Sequence, residues 1–299
     1  MATWTGSDGG VDWRLELDRD LLLPGRLVEG RVVARASRGV EARGVVVALI
    51  GKERWKHRVT RTDSEGHTTT HVVTSEEEVR RVPVAVSGPV TLAAGETLDR
   101  TFELPVPPMG PASLLAEVAR LEWRVEAKFD IEGGLDSSIE ADVVVAQPSA
   151  LIRAGAVHVG QFALFEGAEA ASDDIAASIS LEPAPLVCGA PFHGSLAIRA
   201  PGSRRLQEIR AELRLAVEAT VQAGEREEIT GWTGRLSDAT ELAGDPTFEV
   251  AGALPTTPLP TIELPHARTQ ATFHVILAQA WARDPHLVRD VAIATTAEL

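Results

Sequence analysis

The sequence predicts an all-β protein built as two tandem β-sandwich domains, residues 1–150 and 151–299. Three observations lead there. Apolar and charged residues alternate with period 2 in several segments, 25 Gly and 18 Pro break the chain into short runs, and an ordered set of segments occurs twice. Period 2 places every apolar side chain on one face, which only a half-buried strand explains. Many short strands with frequent turns read as sandwich or barrel.

In order along the chain, Leu15–Leu17 and Leu27–Arg35 alternate loosely. Gly44 to Gly51, GVVVALIG, is a short β-branched run bounded by glycines and reads as a buried sandwich strand. Glu78–Val86, EVRRVPVAV, carries Pro83, which places it at a sheet edge or a bulge. Leu121–Ile131, LEWRVEAKFDI, alternates strictly. Turn signals at Pro24-Gly25, Ser87-Gly88-Pro89, Ala94-Gly95 and Gly133-Gly134 separate these runs. Two segments are open to a helical reading: Pro111–Leu121, and the Ala-rich, acidic Glu166–Ala177, which also reads as loop.

Composition excludes several functions. With 29 Lys+Arg against 43 Asp+Glu the net charge is −14. An acidic surface without a basic stripe repels phosphate backbones, so no nucleic-acid partner is expected. The lone Cys188 has no intramolecular disulfide partner and no thiolate cage to join, which fits a reducing cytoplasm. The opening MATWTGSDGGVDW lacks the basic n-region and apolar core of a signal peptide. The longest apolar stretch, Val45–Ile50, is far short of the roughly 20 residues a membrane helix needs. A cytoplasmic location follows as the expectation.

The duplication appears at an offset of 164. LDRDLLLPGRLVEGRVVA (17–34) and LEPAPLVCGAPFHGSLAI (181–198) share Leu17/Leu181, Leu22/Leu186, Gly25/Gly189 and Gly30/Gly194. Each copy reads as a strand, a glycine-requiring turn and a returning strand, with the second Gly at a bulge or close approach. Further pairs follow in the same order: 40–51 with 206–217, 102–111 with 248–260, and 121–131 with 271–281. The boundary falls near Gln147–Gly155, where Pro148 ends a strand.

These segments resemble the arrestin family, including its α-arrestin branch and the bacterial sporulation-control proteins of arrestin-like fold. LPGRLVEGRVVA is similar to the family's PGE-x-V-x-G-x-V strand-turn-strand. ARGVVVALIGKERWK is similar to the next strand, with Gly51, Lys52 and Trp55 in its Gly-Lys-x-x-x-Trp stretch. FELPVPPMGPAS and LEWRVEAKFDI are similar to the segments that follow, and ALPTTPLPTIELPHARTQATFHVILA to the family's C-domain. The resemblance implies two arrestin-like, immunoglobulin-type sandwiches forming a scaffold that binds proteins through loops and sheet faces, without chemistry of its own. No tail with PPxY motifs follows Leu299, so receptor desensitisation of the animal kind is not implied.

Candidate chemistry is sparse. There is no G-x-S-x-G, P-loop or G-x-G-x-x-G pattern. Cys188 reads as a structural thiol. His67 and His71 on one strand would stand about 13 Å apart, too far for one metal unless His57 joins them across a hairpin; a polar hairpin tip is the plainer reading. Asp18 with Asp20, and Glu76-Glu77-Glu78, sit in charged stretches that read as solvated faces. No enzyme activity, cofactor or metal is therefore expected.

The segment Lys52–His71 is the strongest candidate. It gathers Lys52, Arg54, Lys56, Arg58 and Arg61 around Trp55 in an otherwise acidic chain. With Trp55 exposed, these six residues are a hot spot for a protein partner or an anionic membrane surface, the latter by peripheral contact. The alternative is a solvated hairpin whose Trp55 packs inward. The expected function is a non-enzymatic adaptor or scaffold for protein partners, working through this hairpin, strand addition at sheet edges, or loops. The rivals are a small-ligand, glycan or lipid-binding sandwich, a sandwich enzyme with scattered carboxylates, and a structural subunit of a larger assembly.

Overall fold

The computed structural model describes residues 1–132, 136–152, 163–164, 175–280, 284 and 286–297. It is 70% strand and all-β. The only helical element among the described residues is a single 3-10 turn at Ser149–Leu151. None is long and apolar enough to cross a membrane. Contacts divide the chain into two units: Met1–Lys56, Val72–Leu115 and Ala119–Ala146 form one, and His57–His71, Ala116–Val118 and Gln147–Leu299 the other.

The first part of the chain contributes β1 (Ala2–Asp8), β2 (Val11–Leu17), β3 (Leu21–Leu22), β4 (Leu27–Ala36), β5 (Val40–Ala42) and β6 (Gly44–Thr62). Then come β7 (Thr68–Ser87), β8 (Val90–Leu92), β9 (Thr97–Pro105), β10 (Leu114–Leu115), β11 (Ala119–Asp130) and β12 (Ser137–Val145). One sheet runs β1-β2-β4-β9 and a second β3-β12-β11-β6-β7, with β10 pairing β11 and β5 pairing β8. The two sheets pack face to face. Trp13 from β2 meets Phe129 from β11 at 4.9 Å between ring centroids, and its indole N–H donates to Ser137 Oγ at 2.9 Å. The predicted alternation of β11 is observed: Leu121, Trp123, Val125, Ala127 and Phe129 are all buried, with their neighbours half-exposed.

The second part contributes β13 (Ala163–Leu164), β14 (Ala176–Glu182), β15 (Leu186–Val187), β16 (Pro191–Leu206), β17 (Glu208–Ala219) and β18 (Arg226–Ser237). β19 (Thr240–Gly244), β20 (Thr247–Ala253), β21 (Ala267–Ala278), β22 (His286–Val291) and β23 (Ile293–Ala294) complete it. Its main sheet runs β13-β22-β21-β17-β18, against a second built on β14-β16-β19 with β20 also on β16. Trp232 from β18 bridges the layers, edge-on to Phe192 at 5.2 Å and stacked on Phe273 at 6.1 Å.

The two halves repeat each other at the level of register. Leu17 pairs Gly30, and Leu181 pairs Gly194. Leu22 pairs Val145 in parallel, and Leu186 pairs Ile293 in parallel. Gly25 and Gly189 both have positive φ, 76° and 72°, and each donates its N–H across the turn, to Val106 O and Pro255 O. A side chain at either inner glycine has no space. At Gly30 a Cβ would lie 2.9 Å from Glu16 O and against the Phe102 ring, and at Gly194 it would collide with Ser180 O, the residue equivalent to Glu16.

Pro111–Leu121 is not helical. Its centre forms β10, with Leu114 paired to Leu121, and Ser113 is tied to Val145 by main-chain and hydroxyl bonds. The sheet edge offers these backbone groups partners that a three-turn helix would leave at its ends. Residues 166–174 of the other helical candidate, the Gly133-Gly134 turn and Trp281 lie outside the described residues; Ala176-Ala177 begins β14.

Substituting Gly194→Ala is expected to cost more than about 2 kcal/mol, because the clash is with backbone rather than a movable side chain. Gly88→Ala, whose Cβ meets nothing within 4 Å, should stay within about 0.5 kcal/mol. Urea unfolding midpoints of the two variants check both values.

Candidate functional site

The hairpin formed by β6 and β7 begins as the buried run Gly44–Gly51 and continues as the charged Lys52–Thr62. Cross-strand contacts fix one register along it. Arg54 Nε lies 3.0 Å from Glu76, and the hydroxyls of Thr60 and Thr70, and of Thr62 and Thr68, stand 3.2 Å apart. At the tip, the Asp63 carboxylate accepts the N–H groups of Glu65 and His67 at 2.9 Å each, and Gly66 takes φ 87°. An Asx-type turn of this kind closes a hairpin without apolar contacts.

The six residues expected to form a hot spot do not converge. Trp55 is buried, 9% exposed, which corrects the reading of an exposed anchor. Alternation puts Glu53 and Trp55 on the inner face, and the residue opposite Trp55 across the ladder is the small Ala119, which leaves room for the indole. Lys52 and Lys56 are half-buried. Arg54 is exposed but engaged by Glu76 at 3.0 Å and Glu122 at 3.4 Å. Arg58 donates its main-chain N–H to Ala223 O at 2.9 Å and pairs its guanidinium with Glu225. Arg61 is exposed near the tip. Exposed ion pairs of this type contribute about 0–1 kcal/mol each, but at Arg54 and Arg58 they weaken the positive field on which the hot-spot reading rested.

What sequence reading passed over is the other strand of the same hairpin. β7 ends its sheet, so among the described residues one side of its backbone has no strand beside it. Its two halves differ. From Glu76 to Pro83 the edge carries three glutamates, Arg80, Arg81 and a proline, with Arg81 bonded to Glu78 at 2.8 Å and Glu126 at 3.1 Å. The Arg81 bond is also the main cause of a Glu78 carboxyl held below its usual range. Charges and proline are how natural edges prevent unwanted pairing. From Thr68 to Thr74, TTTHVVT, there is no charge and no proline, six of seven residues are β-branched, and all are exposed. Val72 and Val73 are 56% and 39% exposed, the only adjacent pair among the exposed large apolar residues described. The signal was present in the sequence as a β-branched tract, but its charged neighbours drew the reading to the opposite strand.

The remaining candidates are placed as follows. His67 lies beside Asp63 at 3.3 Å and Glu65 at 3.7 Å in the turn, and His71 lies on the exposed strand. Asp18 pairs with Arg19 at 2.9 Å. Cys188 stands in the turn after β15 among Leu215, Leu254, Leu259 and Ile293, and burial pushes its thiol up. Sequence reading also missed His274, buried on β21 with Nε2 2.9 Å from Thr272 Oγ1; burial, then the Arg214 charge, depresses its pKa.

Residues 6–156, just over half of the chain, match the family model described as SpoOM protein. The chain belongs to the SpoOM protein family. The match spans nearly all of the first unit's strands, including the whole β6–β7 hairpin. No curated protein matches this SpoOM-family chain.

Two outcomes follow from these placements. Trp55→Ala should destabilise by about 3–5 kcal/mol, the range for a large aromatic removed from a core, as read by denaturant titration; an exposed anchor would cost under 1 kcal/mol. Cys188 should react with a thiol-specific disulfide reagent at pH 8 at least about tenfold more slowly folded than unfolded, because only the thiolate attacks. Time-resolved absorbance with and without guanidinium measures the ratio.

Proposed function

We propose that this SpoOM-family protein is a non-enzymatic adaptor that takes a strand from a partner protein along the Thr68–Thr74 edge of β7. The observation that carries the reading is the contrast within one strand between a guarded half and an open half. A long, uncharged, β-branched edge invites pairing with another chain, and its persistence beside a well-guarded segment supports a docking use. Strand addition supplies main-chain hydrogen bonds for affinity, and alternate side chains such as Val72 and Thr74 supply selectivity.

The family description, a sporulation-control protein, supports a regulatory setting for such an adaptor in the cytoplasm. The duplicated sandwiches support the arrestin-like reading of the scaffold. The acidic net charge of −14 favours partners whose docking strand is flanked by basic residues.

Replacing Val72→Lys together with Thr74→Lys should leave the thermal midpoint within about 2 °C, since both positions are exposed. The same variant should lose at least about tenfold of its recovery of the partner captured by the unmodified protein from its host, because charges on an edge oppose strand addition. Equal recovery of the same partner would sink the reading.

A further inference from the structure

The second unit holds a titratable group that the strand-addition reading does not use. In its main sheet, β17 and β21 turn Ile209, Ala211, Leu213, Phe273 and Val275 to the core, all buried. The opposite side carries Arg210, Glu212 and Arg214 on β17, with Thr272 and His274 on β21. Ionisable side chains on such a face ordinarily stay in water, yet His274 is only 7% exposed. It sits on the central strand of five, opposite Glu212 on one side and Val288 on the other.

The ring has a place for one proton and not for two. Nε2 stands 2.9 Å from Thr272 Oγ1, and Nδ1 is buried without a hydrogen-bond partner among the described residues. A neutral imidazole carries one N–H and one bare nitrogen. With the N–H on Nε2, Thr272 accepts it and only a lone pair on Nδ1 is left unmet. A second proton turns Nδ1 into a buried donor without an acceptor, on a ring that now carries full charge away from water. Both changes are among the costliest that burial imposes.

The surrounding charges are already committed. Glu212, directly across the ladder, is bonded to Arg214 at 2.7 Å and lies 3.3 Å from Arg210. Glu228 on β18 is held by the same Arg214 at 3.1 Å. On β22, Asp290 accepts from Gln270 at 3.0 Å, and His286 brings a second imidazole. Burial is the largest cause of the depressed His274 pKa and the Arg214 guanidinium the next; Glu228 and Glu212 act the other way without reversing it. A histidine whose folded pKa lies below that of the unfolded chain, about 6.5, takes its proton more readily once the structure opens. The stability it protects is complete above that value and is lost as pH falls through the window beneath it.

We infer that His274 is an acid-sensitive device built into the second unit: neutral, it lets β21 hold the centre of the main sheet, and a second proton on its ring opens that sheet around β21. The device is separate from strand addition at β7, and either stands without the other.

The test is hydrogen–deuterium exchange of the full chain at about pH 7.5 and about pH 5.5, a span that crosses the histidine range and leaves most carboxylates ionised. Rates of peptides covering Ala271–Leu277 are corrected for the intrinsic pH dependence of amide exchange. On acidification the opening equilibrium constant of β21 should rise at least about fivefold more in the unmodified chain than in His274→Gln, one unit of pKa depression being worth tenfold. The glutamine amide can still donate to Thr272 and does not titrate. An equal rise in both chains overturns the inference. If His274→Gln fails to fold, the ring itself decides: the His274 Cε1–H resonance of the unmodified chain, assigned through its own backbone and followed by NMR, should titrate below about 6.5. A midpoint at or above that value overturns the inference as well.

Discussion

Main chain pressed directly on main chain is the constraint on which this structure rests. Opposite Leu17 and Leu181 the returning strand carries glycine, because the neighbouring carbonyls of Glu16 and Ser180 stand where a Cβ would be. That approach fixes the register of β2 on β4 and of β14 on β16. A shift by one residue would turn every apolar side chain of those strands outward. With the register fixed, the alternating residues of β4 and β16 face inward, and the second sheet closes over them through Trp13 and Phe129 in one unit and Trp232 with its two phenylalanines in the other. A chain with 4% aromatics uses them as the pillars between layers and fills the remainder with Val, Leu, Ile and Ala.

Charge is arranged around this frame rather than within it. Two of the five cations on β6 are matched with glutamates, Arg54 on the neighbouring strands and Arg58 at Glu225. The polar edge that results is guarded over half its length and open over the other half. Within the first unit the exposed Asp20 and Asp142 stand without an ion-pair partner among the described residues. Ion pairing thus weakens the positive field along β6 at Arg54 and Arg58.

Much of the fold was legible because strand period and glycine turns are local signals. The alternation at 121–131, the buried run at 44–51 and the duplicated Leu and Gly positions all have their physical counterparts in burial and register. Pro111–Leu121 misled because Ser113 and the leucines after it suit a helix start in isolation; their partners, Val145 and Leu121, come from pairing that periodicity does not encode. The candidate site was less legible. Trp55 and its basic neighbours form a recognisable composition, but Lys52–Thr62 has no apolar alternation of its own, so which face the indole takes follows from the continuous strand and its ladder with β11, whose Ala119 is far away in sequence. Trp123 was visible only as one more inward residue of an alternating strand. That its N–H has no acceptor among the described residues is something no spacing rule carries.

The repeated turn has a consequence for how such a chain can change over generations. The hydrogen bonds that close it run from Gly25 to Val106 and from Gly189 to Pro255, and from Arg26 to Leu23 and Ala190 to Val187. All of them join main-chain atoms, so the side chains around them are free to drift, and Pro24 in one copy stands where Cys188 stands in the other. An ancestral half, once copied within a gene, can then lose nearly all resemblance to its twin while keeping its backbone. The family match covers residues 6–156, and the same main-chain atoms make the same bonds in the second half. What the two halves share resides in glycines and carbonyls.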